Sequence, residues 1–223
     1  MSKIILVVAA HTDDEALGCA GAIMKHISSG DMVHLLFMTN GVGAREESEV
    51  EISKRRLASE QAAQLMGVSS VTNLNFPDNR LDTVPLLDVV KEIERKLDQC
   101  KPELVYTHYE YDLNVDHQIT YNATMTACRP YPNQPVREIY SFEVLSSSDW
   151  SARGHGMFCP NIYTDISNFI DKKIKVLECY NGEMRLPPHS RSIDNMTNLA
   201  KFRGNSIGLQ YAEAFCLIRG IKD

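Results

Sequence analysis

The stretch 3-KIILVVAAHTDDEALGCAG-21 runs an apolar, β-branched segment directly into a histidine and three consecutive acidic residues. Residues 4–10 read as a buried strand, because a short continuous run of Ile, Leu and Val suits the interior of a parallel sheet. The residues from Asp14 onward, closed by Gly30, read as a helix. A strand feeding a helix through a short polar turn is the opening unit of a doubly wound α/β layer. Asp13, Asp14 and Glu15 side by side are costly to desolvate, since like charges repel and unpaired buried charge is heavily penalised. A positive partner is therefore expected at this turn, with its other contacts supplied from elsewhere in the chain.

The alternation continues downstream. "MVHLLFMTN" (32–40) reads as a second strand, followed by the polar loop "GVGAREES" (41–48) and a charged amphipathic helix over about 48–66, closed by Gly67. A third strand is expected over 71–76 and a helix over 84–100, ahead of Pro102. A fourth strand covers 103–108, and a helix runs from near Asp116 to about Cys128, ending before "RPYPNQP". Residues 137–144 and 213–220 read as further strands, with a helix-rich stretch from about 167 to 207 between them. Strands alternating with crossover helices imply a Rossmann-like, doubly wound, mostly parallel sheet with helices on both faces. With no repeat, low-complexity tract or long linker, residues 1–223 are expected to form a single α/β domain.

Bulk composition narrows the function. The 223 residues are 43% hydrophobic and 23% charged, a globular balance, and the formal net charge of −6 argues against a general nucleic-acid binder. Six widely spaced cysteines contain no C-x-x-C pair, so they read as reduced thiols of a cytoplasmic protein. No signal-peptide pattern is present at the start, and no apolar run approaches the roughly 18 residues of a membrane span.

In an open parallel sheet, ligands bind beyond the carboxyl ends of the strands. The loops 11–15, 40–45, 76–82 and 107–117 follow the first four strands and are expected to converge on one rim. A dinucleotide site would place a Gly-rich turn after the first strand; carboxylates there would repel a pyrophosphate. Nicotinamide or flavin binding through this loop is not expected, and the later "GCAG" reads as helix packing. His11 and Asp14, three apart at a strand–helix junction, can aim a nitrogen and an oxygen at one point. His117, opening a helix after the fourth strand, completes a His–Asp–His set, and three such ligands with an open fourth position describe a catalytic zinc site. Asp13, beside a ligand, is the natural general base. The plainer reading is that Asp13–Glu15 and Asp116 only cap helices and offset helix dipoles. The coincidence of both motifs at the ends of two strands of one sheet favours the metal site.

"AHTDDE" before a small-residue helix, with the downstream "DLNVDH", resembles the PIG-L/LmbE-like family of zinc-dependent N-deacetylases. The resemblance extends through "KRRLASEQAAQLMGV" (54–68), "FPDNRLDT" (76–83), "PPHSRS" (187–192) and "YAEAFCLIR" (211–219). It implies His11, Asp14 and His117 as metal ligands, Asp13 as general base, and Asp116 as a carboxylate that orients a neighbouring imidazole. It also places Arg55 against the substrate; the alternative is a solvated helix face. The metal implied is zinc, with Fe²⁺ a possible substitute, and symmetric homo-oligomers occur in the family.

Two positions depart from the family pattern. Thr12 replaces a proline, and Asn114 stands where many members carry a histidine that assists the carbonyl or the departing amine. Asn114 can donate a hydrogen bond to an oxyanion but cannot act as a general acid. His108 and His189 are the residues that could compensate, the alternatives being a packing role and a surface loop. Asp78, Asn79 and Arg80 suit recognition of hydroxyl or phosphate groups, although Pro-Asp-Asn is also strong turn chemistry. The expected activity is hydrolysis of an N-acetyl group from an amino sugar or sugar conjugate, a small-molecule substrate. The rival readings are another metal hydrolase, such as a phosphoesterase, and a non-catalytic sugar-binding module of the same fold.

Overall fold

The computed structural model describes residues 2–39, 41, 49–151 and 156–222. Its strands are β1 (Ile4–Ala9), β2 (Met32–Thr39), β3 (Ser70–Phe76), β4 (Leu104–His108), β5 (Glu138–Phe142), β6 (Ile162–Asp165) and β7 (Ala212–Gly220). They form one sheet in the order β3-β2-β1-β4-β5-β7-β6. Strands β1 to β5 pair in parallel, and β7 runs antiparallel to both β5 and β6. The helices are α1 (Asp14–Gly18), α2 (Ala20–Ser28), α3 (Glu49–Met66), α4 (Leu86–Cys100), α5 (Val115–Ala127), α6 (Ile170–Cys179) and α7 (Ile193–Asn205). This is the mostly parallel, doubly wound α/β architecture that the alternation implies.

The strand pleat sorts the core onto two faces. Along β1, Ile5, Val7 and Ala9 point to one side, where they join Phe37 and the buried residues of α1, α2, α3 and α6. Leu6 and Val8 point to the other, joining Leu36, Met38 and the apolar stripes of α4 and α5. Both faces of β1 are thus dry, which is why its sequence is continuously apolar rather than alternating. The chain winds from β1 outward through β2 to β3, then returns to add β4 on the opposite side of β1. The crevice beyond the carboxyl ends of β1 and β4 is therefore the topological switch point, where open α/β sheets hold their ligands.

Two features differ from expectation. Strand β6 was not anticipated; four half-buried residues beside β7 are too few to produce a periodic signal. The helix expected over 14–30 is broken at Cys19 (φ −147°, ψ 15°), so α1 and α2 are separate. The break is held from a distance. Glu213 on β7 accepts the Gly21 and Ala22 amides at 2.9 and 2.7 Å, capping α2 with a buried carboxylate. Lys173 of α6 donates to Glu213 at 2.6 Å and to the Leu17 carbonyl at 3.0 Å, so the last turn of α1 and the first of α2 share one buried ion pair. Gly18 and Gly21 are packing glycines, as "GCAG" implied. A Cβ on them would fall 2.4 Å from the Phe142 ring and 2.5 Å from Ile166 Cγ2. No helix among the described residues is long and apolar enough to cross a membrane.

Candidate active site

Three side chains, from the β1–α1 junction and the start of α5, meet beyond β1 and β4. His11 Nδ1 lies 3.2 Å from Asp14 Oδ2 and 3.2 Å from His117 Nε2, and the third edge, His117 Nε2 to Asp14 Oδ2, is 3.4 Å. Ligands bonded at about 2.1 Å to a tetrahedral ion stand about 3.4 Å apart, so this triangle has the dimensions of three zinc ligands. His11 and Asp14 are brought together by the turn itself, where the His11 amide donates to Asp14 Oδ2 at 2.8 Å. His117 arrives on the first turn of α5, which Asn114 caps by accepting the Asp116 amide at 2.8 Å.

Charge chemistry supports the fit. Asp14, Asp78, Asp112 and Asp116 are all buried and surround two imidazoles. Burial would raise the Asp14 carboxyl, but the His117 and His108 imidazoles beside it hold it well below the usual range. Burial would lower His117, but Asp14 and Asp112 outweigh it and lift the imidazole to about 9. His11 is likewise lifted well above its ordinary value, with burial opposed by Asp116, Asp14 and Asp78. Imidazoles forced to hold extra protons mark a pocket short of positive charge, which a dication bound by the same atoms would supply. Asp14 Oδ1 is buried without a hydrogen-bond partner, a further sign of a donor set built for a cation.

His11 has a second set of neighbours. Its Nε2 lies 3.1 Å from Asp78 Oδ1 and 3.2 Å from Asp116 Oδ2. Asp116 is already committed, accepting the Asn79 amide at 2.7 Å and the Leu81 amide at 3.0 Å. This second group therefore reads as the frame that orients His11, which is the part given to Asp116, while Asp14 and His117 face the other nitrogen. Asp112, not singled out in the sequence, does the same for His117. Its Oδ1 is 3.2 Å from His117 Nδ1, outside hydrogen-bond angles, and it accepts from the hydroxyls of Ser147 and Ser148. Burial would raise the Asp112 carboxyl, but His117 and these bonds hold it at about 2.

Asp13, itself buried, lines a cavity of about 380 Å³. Its walls include His11, Arg55, Asp78, Asn79, Asn114 and Arg191. Arg191 Nη1 lies 3.1 Å from Asp13 Oδ2, and Arg55 Nη1 lies 3.9 Å from the same oxygen. Burial raises the Asp13 carboxyl to about 6 even against these two guanidiniums, close to the range of a working base at neutral pH. Arg55 also donates to the Thr12 carbonyl at 3.1 Å and pairs with Glu183 at 2.8 Å, so it is not a solvated helix residue. Thr12 in place of proline leaves the turn intact.

Other expected site residues are not brought to the cavity. His108 is completely buried, stacked on His117 with ring centroids 3.9 Å apart. Its Nε2 accepts the Ala10 amide at 2.8 Å, so the 3.3 Å approach of the same nitrogen to Asp14 cannot also be a donated bond. Burial, reinforced by His117, pushes this imidazole down to about 4. His108 is thus a neutral buttress behind His117 rather than a proton donor to substrate. His189 turns away, accepting the Arg191 amide at 3.0 Å and lying edge-on to Trp150. Arg80 is exposed and lies outside the cavity lining. Asn40 and Val42–Arg45 of the expected second loop lie outside the described residues; Gly41 lines the cavity. Of the residues missed, Asp112 and Arg191 fall inside the quoted "DLNVDH" and "PPHSRS" stretches. Tyr180 and Glu183 carried no local signal at all.

The fold and its His–Asp–His cluster define a Rossmann-like α/β protein with a candidate metal-ligating set at the sheet's switch point. The chain belongs to the PIG-L family, described as GlcNAc-PI de-N-acetylase, whose model matches residues 6–128, a span that contains His11, Asp13, Asp14 and His117. It is 28% identical over 169 residues to the uncharacterized deacetylase YaiS of Escherichia coli, covering 74% of this chain and 82% of that protein. It is 26% identical over 230 residues to the diacetylchitobiose deacetylase of Thermococcus kodakarensis, covering 98% of this chain and 84% of that one. Among solved structures, the N,N'-diacetylchitobiose deacetylase of Pyrococcus horikoshii, complexed with an inhibitor, superimposes with a TM-score of 0.77 at 22% identity. That match covers 98% of this chain and 85% of the other, a likeness of fold.

Proposed function

We propose that this protein is a zinc-dependent hydrolase that removes the N-acetyl group from an amino sugar or a small sugar conjugate. The observation that carries the reading is the 3.2–3.4 Å triangle of His11, Asp14 and His117, next to a cavity that His11 and Asp13 line. The family match and the sugar deacetylases among the relatives support the substrate class.

His11, Asp14 and His117 would hold the ion, which when bound supplies a Lewis acid and lowers the pKa of water at neutral pH. Asp13 takes a proton from the attacking water and returns it to the departing amine nitrogen, so that water is added across the amide C–N bond and acetate leaves. Because Asp13 performs both transfers, the family histidine missing at Asn114 is not required for the proton balance. Asn114 uses its side-chain oxygen to cap α5 and one N–H of its amide to reach Asn79 Oδ1 at 3.4 Å, which leaves the other N–H to donate to the carbonyl oxygen as negative charge develops. Arg55 and Arg191 flank Asp13 and fix where its carboxylate points. Asn79, exposed in the cavity lining beside the buried Asp78, presents an amide suited to sugar hydroxyls. A cavity of about 380 Å³ is of the size that holds small molecules rather than a polymer strand. All six cysteines are free, which fits the reducing cytoplasm.

The test is a screen of N-acetylated hexosamines, their disaccharides and nucleotide-sugars for primary-amine and acetate release, with and without a chelator. Chelator-sensitive release of amine and acetate in equal amounts is expected. Phosphate release instead would favour a phosphoesterase. Sugar binding with no product from any substrate would favour a non-catalytic module.

A further inference from the structure

The mechanism uses Asp13 and Asp14 but leaves the third acidic residue, Glu15, unexplained. Glu15 is completely buried, and both of its oxygens are taken. Oε2 accepts the Asp13 amide at 3.1 Å, and Oε1 accepts the Tyr180 hydroxyl at 2.6 Å. The backbone that this arrangement secures is unusual. Asp13 has φ 137° and ψ −24°, in a region that residues with a Cβ rarely occupy and that persists only where surrounding contacts over-determine it.

The same short segment of chain grips the turn twice. Tyr180 ends α6 and reaches Glu15, and Glu183, three residues on, pairs with Arg55 at 2.8 Å. Arg55 in turn donates to the Thr12 carbonyl. Residues 12 and 13 are therefore held at the Thr12 carbonyl and at the Asp13 amide, both from residues 180–183. The part of Glu183 is to fix the Arg55 guanidinium.

We propose that Glu15 and Tyr180 are positioning residues that hold the Asp13 backbone in its left-handed conformation and so aim the Asp13 carboxylate into the cavity. This rests on the reading of Asp13 as the base. Neither residue exchanges a proton with substrate; each acts only through Asp13. A displacement of about 1 Å in a reacting group can cost 10²-fold in rate, so loosening this clamp should be felt in kcat.

The experiment compares Tyr180→Phe, which keeps the ring and removes only the hydroxyl, with Glu15→Gln, Asp13→Asn and the Asp13→Asn/Tyr180→Phe double variant. Measured for each are kcat, KM, zinc stoichiometry, thermal midpoint and hydrogen exchange at the Asp13 amide. Tyr180→Phe is expected to lower kcat about 10- to 100-fold with KM within about twofold and zinc content unchanged. It should also speed exchange of the Asp13 amide, and it should cost nothing further in the Asp13→Asn background. Should Glu15→Gln fail to fold, Tyr180→Phe alone still decides. Full kcat in Tyr180→Phe, or an equal loss with and without Asp13, overturns the inference while leaving the hydrolytic reading intact. Full kcat in Asp13→Asn overturns both.

Discussion

Asp13 stands between two guanidiniums at the edge of the His11–Asp14–His117 triangle, and its behaviour can be read in the pH profile. Its carboxyl is raised to about 6 by burial, with Arg191 and Arg55 pulling the other way. A base must be ionised to work, so kcat should rise with pH through this value and fall tenfold per unit below it. A dication at Asp14 lowers the Asp13 carboxyl further, so the acid limb of the loaded enzyme should lie at or below pH 6. A limb above pH 7 would contradict the assignment. Arg191→Met removes the nearer positive charge, which should move this limb upward; a profile that stays in place would show that Arg191 does not act on Asp13. Asp13→Asn should lower kcat by about 10²–10⁴ with the zinc content preserved, measured by amine release alongside metal analysis.

At the scale of elements, the chain that leaves the site turns at the break between α1 and α2. A continuous helix from Asp14 would carry its axis past the Lys173–Glu213 pair; instead, Glu213 caps α2 from β7 and Lys173 ties the pair to the end of α1. Both side chains are about 4% exposed, so Lys173→Met leaves a buried carboxylate without its cation. A loss of about 3 kcal/mol is expected in urea unfolding, and a change under 1 kcal/mol would mean that the Gly21 and Ala22 amides alone satisfy Glu213. Gly21→Ala inserts a methyl 2.5 Å from Ile166 Cγ2, where α2 packs on the chain leaving β6. Overpacking of this kind should cost about 1–3 kcal/mol. The sequence marked Gly18 and Gly21 as packing residues through their spacing. It did not reveal the break, because glycines within a helix are accounted for equally well by close packing, and the capping carboxylate lies 192 residues away.

For the whole molecule, the ion is expected to be part of the stability. The three candidate ligands come from the turn between β1 and α1 and from the start of α5, so an ion bound there would join parts of the chain more than 100 residues apart. A ligand that binds only the folded state at 100 times its Kd adds about 2.7 kcal/mol, which for a chain of this size is about 5–10 °C in Tm. Zinc added to chelator-treated protein should restore activity and raise Tm together; activity that survives complete metal removal would exclude the zinc reading.

The sequence by itself determined the alternation of strands and helices, the two-faced core around β1 and the three residues of the triangle. Each of these is written locally, as apolar runs, periodic stripes and short polar motifs at strand ends. The tertiary structure alone decided the partners. It placed His108 behind His117, turned His189 and Arg80 from the cavity, and brought Arg191, Tyr180 and Glu183 to the 11–15 turn. It also reversed β7 so that Glu213 could cap α2. Hydrogen bonds and charge pairs are set by which surfaces meet when the two layers close on the sheet, and residues 165 or more apart carry no local trace of one another.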